Sequence, residues 1–340
     1  MAHVVMADDG IAFDGAMAEA EPLGGAETAF VALAEALAAR GHRVEARSNG
    51  RARLCHKGVS WAPLASGVPD RCDLYIGNRG HRVIDLVPAA NRRLFWLHNP
   101  GGYLRKPRFL WPLVRHRPTL IVSGRYHAST VPAWLPCRRQ VIPYGILDCF
   151  RHAEWRDPPP PRAVFTSNPL RGLDWLLDLW AGDIVSAVPG AELHIYAGAT
   201  VYQATGEGRR RIEAVLARAA ALESHGVRCH GAVSRERLAA ALQGARIMLY
   251  RGDPGETFCL ALAEAQAMGV PAVVQPIGSV VERVIDGATG HVAGDDEGFA
   301  AAAIALLRDD DLWRRFHAEA LARQRGFSWD EIATKFEALI

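Results

Sequence analysis

The chain has 340 residues, of which 49% are hydrophobic and 22% charged, and its formal net charge is +2. This is the composition of an ordinary globular protein with room for two domains, each with its own core; with no run approaching ~18 uninterrupted apolar residues, it argues against a spanning helix. The charge is uneven, since residues 1–150 hold 19 Lys or Arg against 12 Asp or Glu while residues 151–340 hold 20 against 25, so the first part is suited to face something anionic.

In chain order, the opening MAHVVMADDG lacks a signal-peptide pattern, and the expected location is the cytoplasm. His3 to Ala7 reads as a strand, Asp8 to Gly24 as a loop, Gly25 to Arg40 as a helix with apolar residues at helical spacing, and Arg43 to Arg47 as a second strand. Gly24 and Gly25 at the helix start permit close approach of backbone to a ligand, although many helices begin after glycine. No Gly-x-Gly-x-x-Gly follows the first strand, so a dinucleotide cofactor is not supported. Asp73 to Gly77 and Leu94 to Leu97 are further strands, and His98-Asn99 falls just past a strand's carboxyl end, where open α/β sheets bind ligands.

Residues 92–117 hold seven Arg or Lys and no acid, with Tyr103, Phe109, Leu110 and Trp111 between them. Peripheral contact with an anionic membrane is one reading, and a solvated basic loop and helix is the other, since Pro107, Pro112 and Pro118 break any long amphipathic helix. Nucleic acid is not expected, because no reader module accompanies the charge. Leu120 to Ser123 and Val141 to Gly145 are strands, and the proline run Asp157 to Pro161 reads as a stiff linker at a domain boundary. A second α/β unit starts at Ala163 to Ser167, continues through a loop to Gly172 and a helix Leu173 to Trp180, and adds strands at Glu192 to Ala197 and Val227 to His230 with helices Gly208 to Glu223 and Arg235 to Gln243.

The most informative stretch is Ile247 to Val274: a short apolar strand, a loop from Arg251 to Gly255, a helix from Phe258 to Met268, and a buried strand from Val270 to Gln275. The helix is apolar on every face, yet Glu264 sits near its middle, where a carboxylate needs a polar partner. Glu256 stands eight residues earlier at the helix mouth, whose free N–H groups, near Thr257, favour an anion. A ligand with hydroxyls at one end and phosphate at the other would satisfy both; the plainer account makes Glu256 a first-turn residue and Glu264 part of an exposed stripe. Asp286 to Gly290 is a turn, Glu297 to Leu307 and Asp311 to Arg325 are helices, and Ser328 with Glu331 forms a capping box for a last helix. The six cysteines show no Cys-x2-Cys pair or recurring spacing, which reads as free thiols without a zinc site.

The frame PGETFCLALAEAQAMGVPAVV, with Glu256 and Glu264, resembles the Glu-x7-Glu motif of the retaining glycosyltransferases of family 4, and LGGAETAFVALAEALAARGHRV resembles the first helix of those enzymes. The resemblance implies an α/β chain of GT-B fold, two Rossmann-like doubly wound domains facing across a cleft: residues 1–155 on the acceptor side, joined by the last helix 327–340, and residues 162–326 on the nucleotide-sugar side. It implies that Glu256 meets the donor sugar, that Glu264 holds the ribose, that His98 reaches the sugar, and that Arg171 lies on the diphosphate. Gly24 and Gly25 would lie against donor phosphate or acceptor, Phe258 would belong to the donor site, and the turn after Gly278 would contact pyrophosphate or sugar. Two departures stand out. Tyr144 replaces the Asn of an Ile-Pro-Asn-Gly segment, and Asn168 stands where a cation is usual, so that Arg251 becomes the candidate replacement.

The implied reaction carries a sugar from a nucleoside-diphosphate sugar to a glycan, lipid-linked or small-molecule hydroxyl with retention. No nucleophilic carboxylate emerges, which favours same-face attack assisted by the leaving phosphate; with no Asp-x-Asp at a strand end, neither metal nor other cofactor is expected. An epimerase conflicts with the Glu-x7-Glu frame, and a phosphorylase would need a pyridoxal lysine that Lys57, Lys106 and Lys335 do not provide. The alternative from another class is a catalytically silent relative that binds carbohydrate or a protein partner.

Overall fold

A computed structural model describes residues 1–20, 23–50, 52–198 and 205–340. The chain divides into two compact units, Met1–Gly145 with Phe327–Ile340 and Ile146–Gly326. The proline run therefore lies inside the second unit. Its neighbours hold it there: the Arg156 backbone N–H donates to His317 Nε2 at 3.2 Å, Arg156 Nη1 donates to the Met268 carbonyl at 3.0 Å, and Arg246 Nη1 to the Pro159 carbonyl at 3.1 Å.

The first unit is built on an eight-stranded sheet of β1 (His3–Asp8), β2 (Arg43–Ser48), β3 (Leu54–His56), β4 (Val59–Pro63), β5 (Arg71–Asn78), β6 (Ala89–Trp96), β7 (Thr119–Val122) and β8 (Arg139–Val141). Their order is β3-β4-β2-β1-β5-β6-β7-β8, parallel except for the β3–β4 hairpin. That hairpin carries no clear sequence signal. Its two-residue turn, Lys57-Gly58, has φ of 44° and 77°, the geometry that matches strand twist, but with Lys at the first position the usual Asn-Gly signal is missing. A short helix, Gly15–Ala20, occupies part of the expected first loop, and Glu21 and Pro22 of that loop lie outside the described residues. The strand expected over Val141 to Gly145 ends at Val141. Pro143 has no N–H to extend a ladder. In the basic stretch, the helix Pro107–His116 forms with Pro107 at its first turn, where the missing N–H is harmless, and tolerates Pro112 within.

The second unit has six parallel strands, β9 (Arg162–Phe165), β10 (Glu192–Ile195), β11 (Val227–Cys229), β12 (Ile247–Tyr250), β13 (Ala272–Val274) and β14 (Gly290–Val292). Their order is β11-β10-β9-β12-β13-β14, the doubly wound Rossmann order, which reverses between β9 and β12. In the first unit the corresponding reversal lies between β1 and β5. All four of these strands are almost entirely buried, as parallel strands covered on both faces must be.

The last helix, Trp329–Glu337, packs on the helix Gly25–Ala39 of the first unit. Its capping box is formed, the Ser328 N–H donating to Glu331 Oε2 at 2.6 Å and the Glu331 N–H to Ser328 Oγ at 3.1 Å. Phe336 is fully buried against Trp96, with ring centroids 5.4 Å apart, and Trp329 covers Gly145 so closely that a Cβ there would stand 2.7 Å from the indole. Arg40 grips Glu337 with both Nε (2.8 Å) and Nη2 (2.7 Å), and His42 Nε2 reaches the same carboxylate at 2.7 Å. The Arg40 hydrogen bond, more than His42, lowers the Glu337 pKa to about 2. A carboxylate with a depressed folded-state pKa contributes stability above its unfolded pKa, and that contribution disappears as pH falls towards the folded value. Glu337→Gln should therefore melt below the wild type at pH 7, and the difference should shrink between pH ~4.5 and ~2; a melting-temperature gap independent of pH across that range would refute the assignment.

Candidate functional site

In the first unit the polar groups gather where the strand order reverses. Asp8 and Asn78 are register partners at the carboxyl ends of β1 and β5, and both are fully buried. Asp8 Oδ2 accepts from Asn78 Nδ2 at 2.6 Å and from Arg79 Nε at 2.9 Å, while Oδ1 accepts from the Gly10 N–H at 2.7 Å. Arg79 also reaches Glu27 Oε1, in the first turn of the helix Gly25–Ala39, at 2.7 Å. Because the Asn78 amide nitrogen is committed to Asp8, its Oδ1 is the acceptor presented to His98 Nε2, and His98 Nδ1 in turn accepts the Tyr144 hydroxyl, each at 2.5 Å. Burial, with Arg79 and His127 adding positive charge, holds the His98 pKa well below the ordinary imidazole value, so the ring is neutral and carries its proton on Nε2. His127 Nε2 donates to the Asn99 carbonyl at 3.0 Å and fixes the loop beyond His98.

In the second unit the loops after β9 and β12 meet at the reversal. Gly172, at φ +86°, ends the first loop, and a Cβ there would be 3.2 Å from Arg251 Cβ. Arg171 Nη1 pairs with Glu256 Oε1. The same oxygen accepts the Tyr250 hydroxyl at 3.0 Å. Burial keeps that phenol protonated far above its usual range. Glu256 Oε2 makes no hydrogen bond among the described residues. Arg251 lies over the Trp175 ring at 5.2 Å, and its Nε donates to Gln275 Oε1 at 3.1 Å. Asn168 accepts the Leu170 N–H on its own Oδ1 at 2.9 Å, shaping the loop as an Asx turn.

The helix expected from Phe258 starts later, at Leu260. Cys259 precedes it in left-handed conformation, φ 65°, and breaks the helical run; Thr257 and Phe258 form the buried turn before it. Phe258 lies beneath the Arg283 guanidinium at 4.3 Å. Glu264 is 4% exposed and faces Arg235, whose Nη1 lies 3.2 and 3.4 Å from its two oxygens. Burial raises its pKa and Arg235 offsets that only in part. The turn after β13 presses on the Glu256 loop: the Ser279 N–H donates to the Glu256 carbonyl at 3.2 Å.

The structure thus brings Arg171, Arg251, Glu256, Thr257, Phe258 and Asn168 onto neighbouring loops at one reversal, with Glu264 along the helix behind them. His98, Gly24 and Gly25 belong to the first unit. Neither glycine is left-handed: Gly24 caps the helix at φ −63°, so its small size rather than its backbone freedom distinguishes it. Sequence reasoning missed Asp8, Asn78, Arg79, Tyr250, Arg235 and Arg283. For Asp8 and Asn78 a signal existed, a polar residue at the last position of a buried strand; for the arginines none did. Among the described residues, no group of three or more His, Cys, Asp or Glu side chains could hold a metal ion, and no helix is long and apolar enough to cross a membrane.

Two Rossmann-like α/β units, each with buried charged groups at its strand reversal, define a chain of GT-B fold. Residues 160–309, within the second unit, match the family described as Glycosyl transferases group 1. Over 170 residues the chain is 30% identical to a phosphatidyl-myo-inositol mannosyltransferase of Mycobacterium leprae, covering 49% of this chain and 42% of that protein. Over 181 residues it is 32% identical to a D-inositol 3-phosphate glycosyltransferase of Nocardia farcinica, covering 52% and 39%. The match thus spans about two fifths of the length of these curated relatives. Among solved structures, a sucrose-phosphate synthase from Thermosynechococcus elongatus aligns with a TM-score of 0.76 at 19% identity, over 99% of this chain and 98% of that one. Anabaena HepE in complex with UDP and glucose aligns with a TM-score of 0.73 at 14% identity, over 99% of both chains. At these identities the likeness is one of fold.

Gly278 provides a test of how the Glu256 loop is held. It has φ +72°, and an added Cβ would stand 2.2 Å from the Asp253 carbonyl oxygen. Gly278→Ala should lose more than ~2 kcal/mol of stability in denaturant titration, through backbone strain together with the clash. A loss below ~0.5 kcal/mol, the range of an ordinary surface change, would show that the two loops are not locked together.

Proposed function

We propose that this chain is a retaining glycosyltransferase, which transfers a sugar from a nucleoside-diphosphate sugar to a hydroxyl of a glycan, lipid-linked or small-molecule acceptor. The observation that carries the reading is the Arg171–Glu256 pair at the β9/β12 reversal, with Tyr250 beneath it and Glu264 on the helix that follows. The match of residues 160–309 and the names of the relatives support it.

In this reading Glu264, accepting from Arg235, takes the ribose hydroxyls, while Glu256 takes a sugar hydroxyl through Oε2. The diphosphate draws Arg171 away from Glu256 and meets Arg251, whose Nη atoms make no hydrogen bond among the described residues. As the C–O bond breaks, positive charge grows on the sugar ring and negative charge on the leaving phosphate. Preorganised guanidinium and backbone N–H groups near Thr257 stabilise the latter. The leaving phosphate then accepts the proton of the attacking hydroxyl on the same face, which retains configuration. His98, in the first unit, is held as a neutral group whose orientation is set by Asn78 and Tyr144. The silent-relative alternative draws on two observations: both His98 nitrogens are already bonded, and Asn168 is turned onto its own backbone.

Release of nucleoside diphosphate from a panel of nucleotide sugars, with and without acceptors, distinguishes the two. Glu264→Ala should weaken nucleoside-diphosphate binding by about 10- to 100-fold, the effect of losing hydrogen bonds to a charged group, and Glu256→Ala should chiefly lower kcat, by about 100- to 1000-fold. Tight nucleotide binding by every variant, with no turnover of any donor by the wild type, would favour the silent relative.

A further inference from the structure

A cavity of about 600 Å³ opens in the first unit at the amino ends of β6, β7 and β8, away from the strand ends that carry Asp8 and His98. Arg92, Arg93, Arg115, Arg117 and Arg138 line it with His116, and no carboxylate does. His116 is paired with Asp85 at 2.9 Å, whereas none of the five arginines makes an ion pair among the described residues. Arg93 Nη2 donates to the Val87 carbonyl at 2.9 Å and its guanidinium lies over the Tyr75 ring at 5.7 Å, while its Nη1 is buried without a hydrogen bond among the described residues. Arg117 holds a left-handed backbone, φ 43°, at the end of the helix Pro107–His116, a position where glycine would be unstrained. Ala338 and Leu339, beyond the last helix, complete the wall.

Arg92, Arg115, Arg117 and Arg138, set around one concavity, repel one another and focus a positive field into it. That repulsion is relieved by an anion, and the planar fork of arginine fits phosphate oxygens two at a time. The number of unpaired arginines calls for a ligand with several negative charges, and the volume suits a small molecule. We propose that this cavity binds a multiply charged phosphate group, either a free polyphosphate or the phosphomonoester head of a lipid. It uses none of the donor-site residues of the second unit, so it stands or falls independently of the proposed transferase activity.

Isothermal titration of the full chain with sodium tripolyphosphate tests this, in an Arg171→Ala background that weakens phosphate binding at the second unit's reversal. One binding site should persist in that background. Arg92→Ser with Arg115→Ser and Arg138→Ser should weaken it at least about thirtyfold, whereas removing the same charge elsewhere, by Arg53→Ser with Arg82→Ser and Arg105→Ser, should weaken it no more than about threefold. Arg93 is left intact because it is partly buried; if the triple variant melts well below the wild type, the Arg115→Ser and Arg138→Ser single variants are read instead. Phosphatidylcholine vesicles containing phosphatidic acid or phosphatidylglycerol identify the source. Capture by phosphatidic acid alone, lost in the cavity variants, marks a lipid head, and tripolyphosphate binding without capture marks a soluble phosphate. Equal losses from the two triple variants overturn the proposal. So does the absence of both tripolyphosphate binding and cavity-dependent capture.

Discussion

A buried carboxylate at the point where a parallel sheet reverses its strand order must be matched by a cation, and much of the local geometry follows from that demand. Asp8 stands at the reversal of the first sheet and Glu256 beside that of the second. Each is answered by an arginine from the adjacent loop, Arg79 and Arg171. Leaving either acid unpaired in a low-dielectric setting would cost about 3–5 kcal/mol. The backbone gives way to secure the match: Arg79 is left-handed at φ 48°, and Gly172 and Gly278 take positive φ to bring their loops together.

The two pairs differ in what they leave for a ligand. In the first unit the hydrogen-bond direction is fixed from Asp8 outward, through the Asn78 amide and the His98 ring to the Tyr144 hydroxyl. Because His98 Nδ1 accepts from Tyr144, a proton added to that nitrogen would require this hydrogen bond to reverse. In the second unit the pair is looser: Arg171 is a third exposed along its side chain, and one oxygen of Glu256 makes no hydrogen bond among the described residues. A phosphate can displace a carboxylate from an arginine at small net cost, since one charge-assisted contact replaces another.

The parts of this arrangement legible in the sequence are those with a local signature. The strand–loop–helix run through Glu256 and Glu264 is written in spacing and composition, and the Ser328–Glu331 capping box is a contiguous pattern. Strand register is not local, so the adjacency of Asp8 and Asn78, seventy residues apart, could not be read, although each stands at the end of an apolar run. The Cys259 turn was hidden for another reason. Cysteine has no preference for left-handed backbone, and the Ala- and Leu-rich stretch around it reads as uninterrupted helix. The proline run looked like a boundary because its composition is that of a linker; the hydrogen bonds of Arg156 and Arg246, which hold it to the second unit, come from side chains distant in sequence.

The uneven charge of the chain also acquires a location. The first unit carries 20 Lys or Arg against 14 Asp or Glu, the second 19 against 23. A diphosphate held at the second reversal would therefore bind in the net acidic unit, drawn by individual guanidinium groups rather than by overall charge. At the first reversal Arg79 is balanced by Asp8 and Glu27, so the surplus does not lie there either. It is concentrated among unpaired arginines at the opposite ends of the strands, from Arg92 to Arg138. Charge that served solubility alone would be spread over convex surface and interspersed with acids. Gathered around one concavity with no Asp or Glu in its lining, it reads instead as a surface shaped to receive an anion.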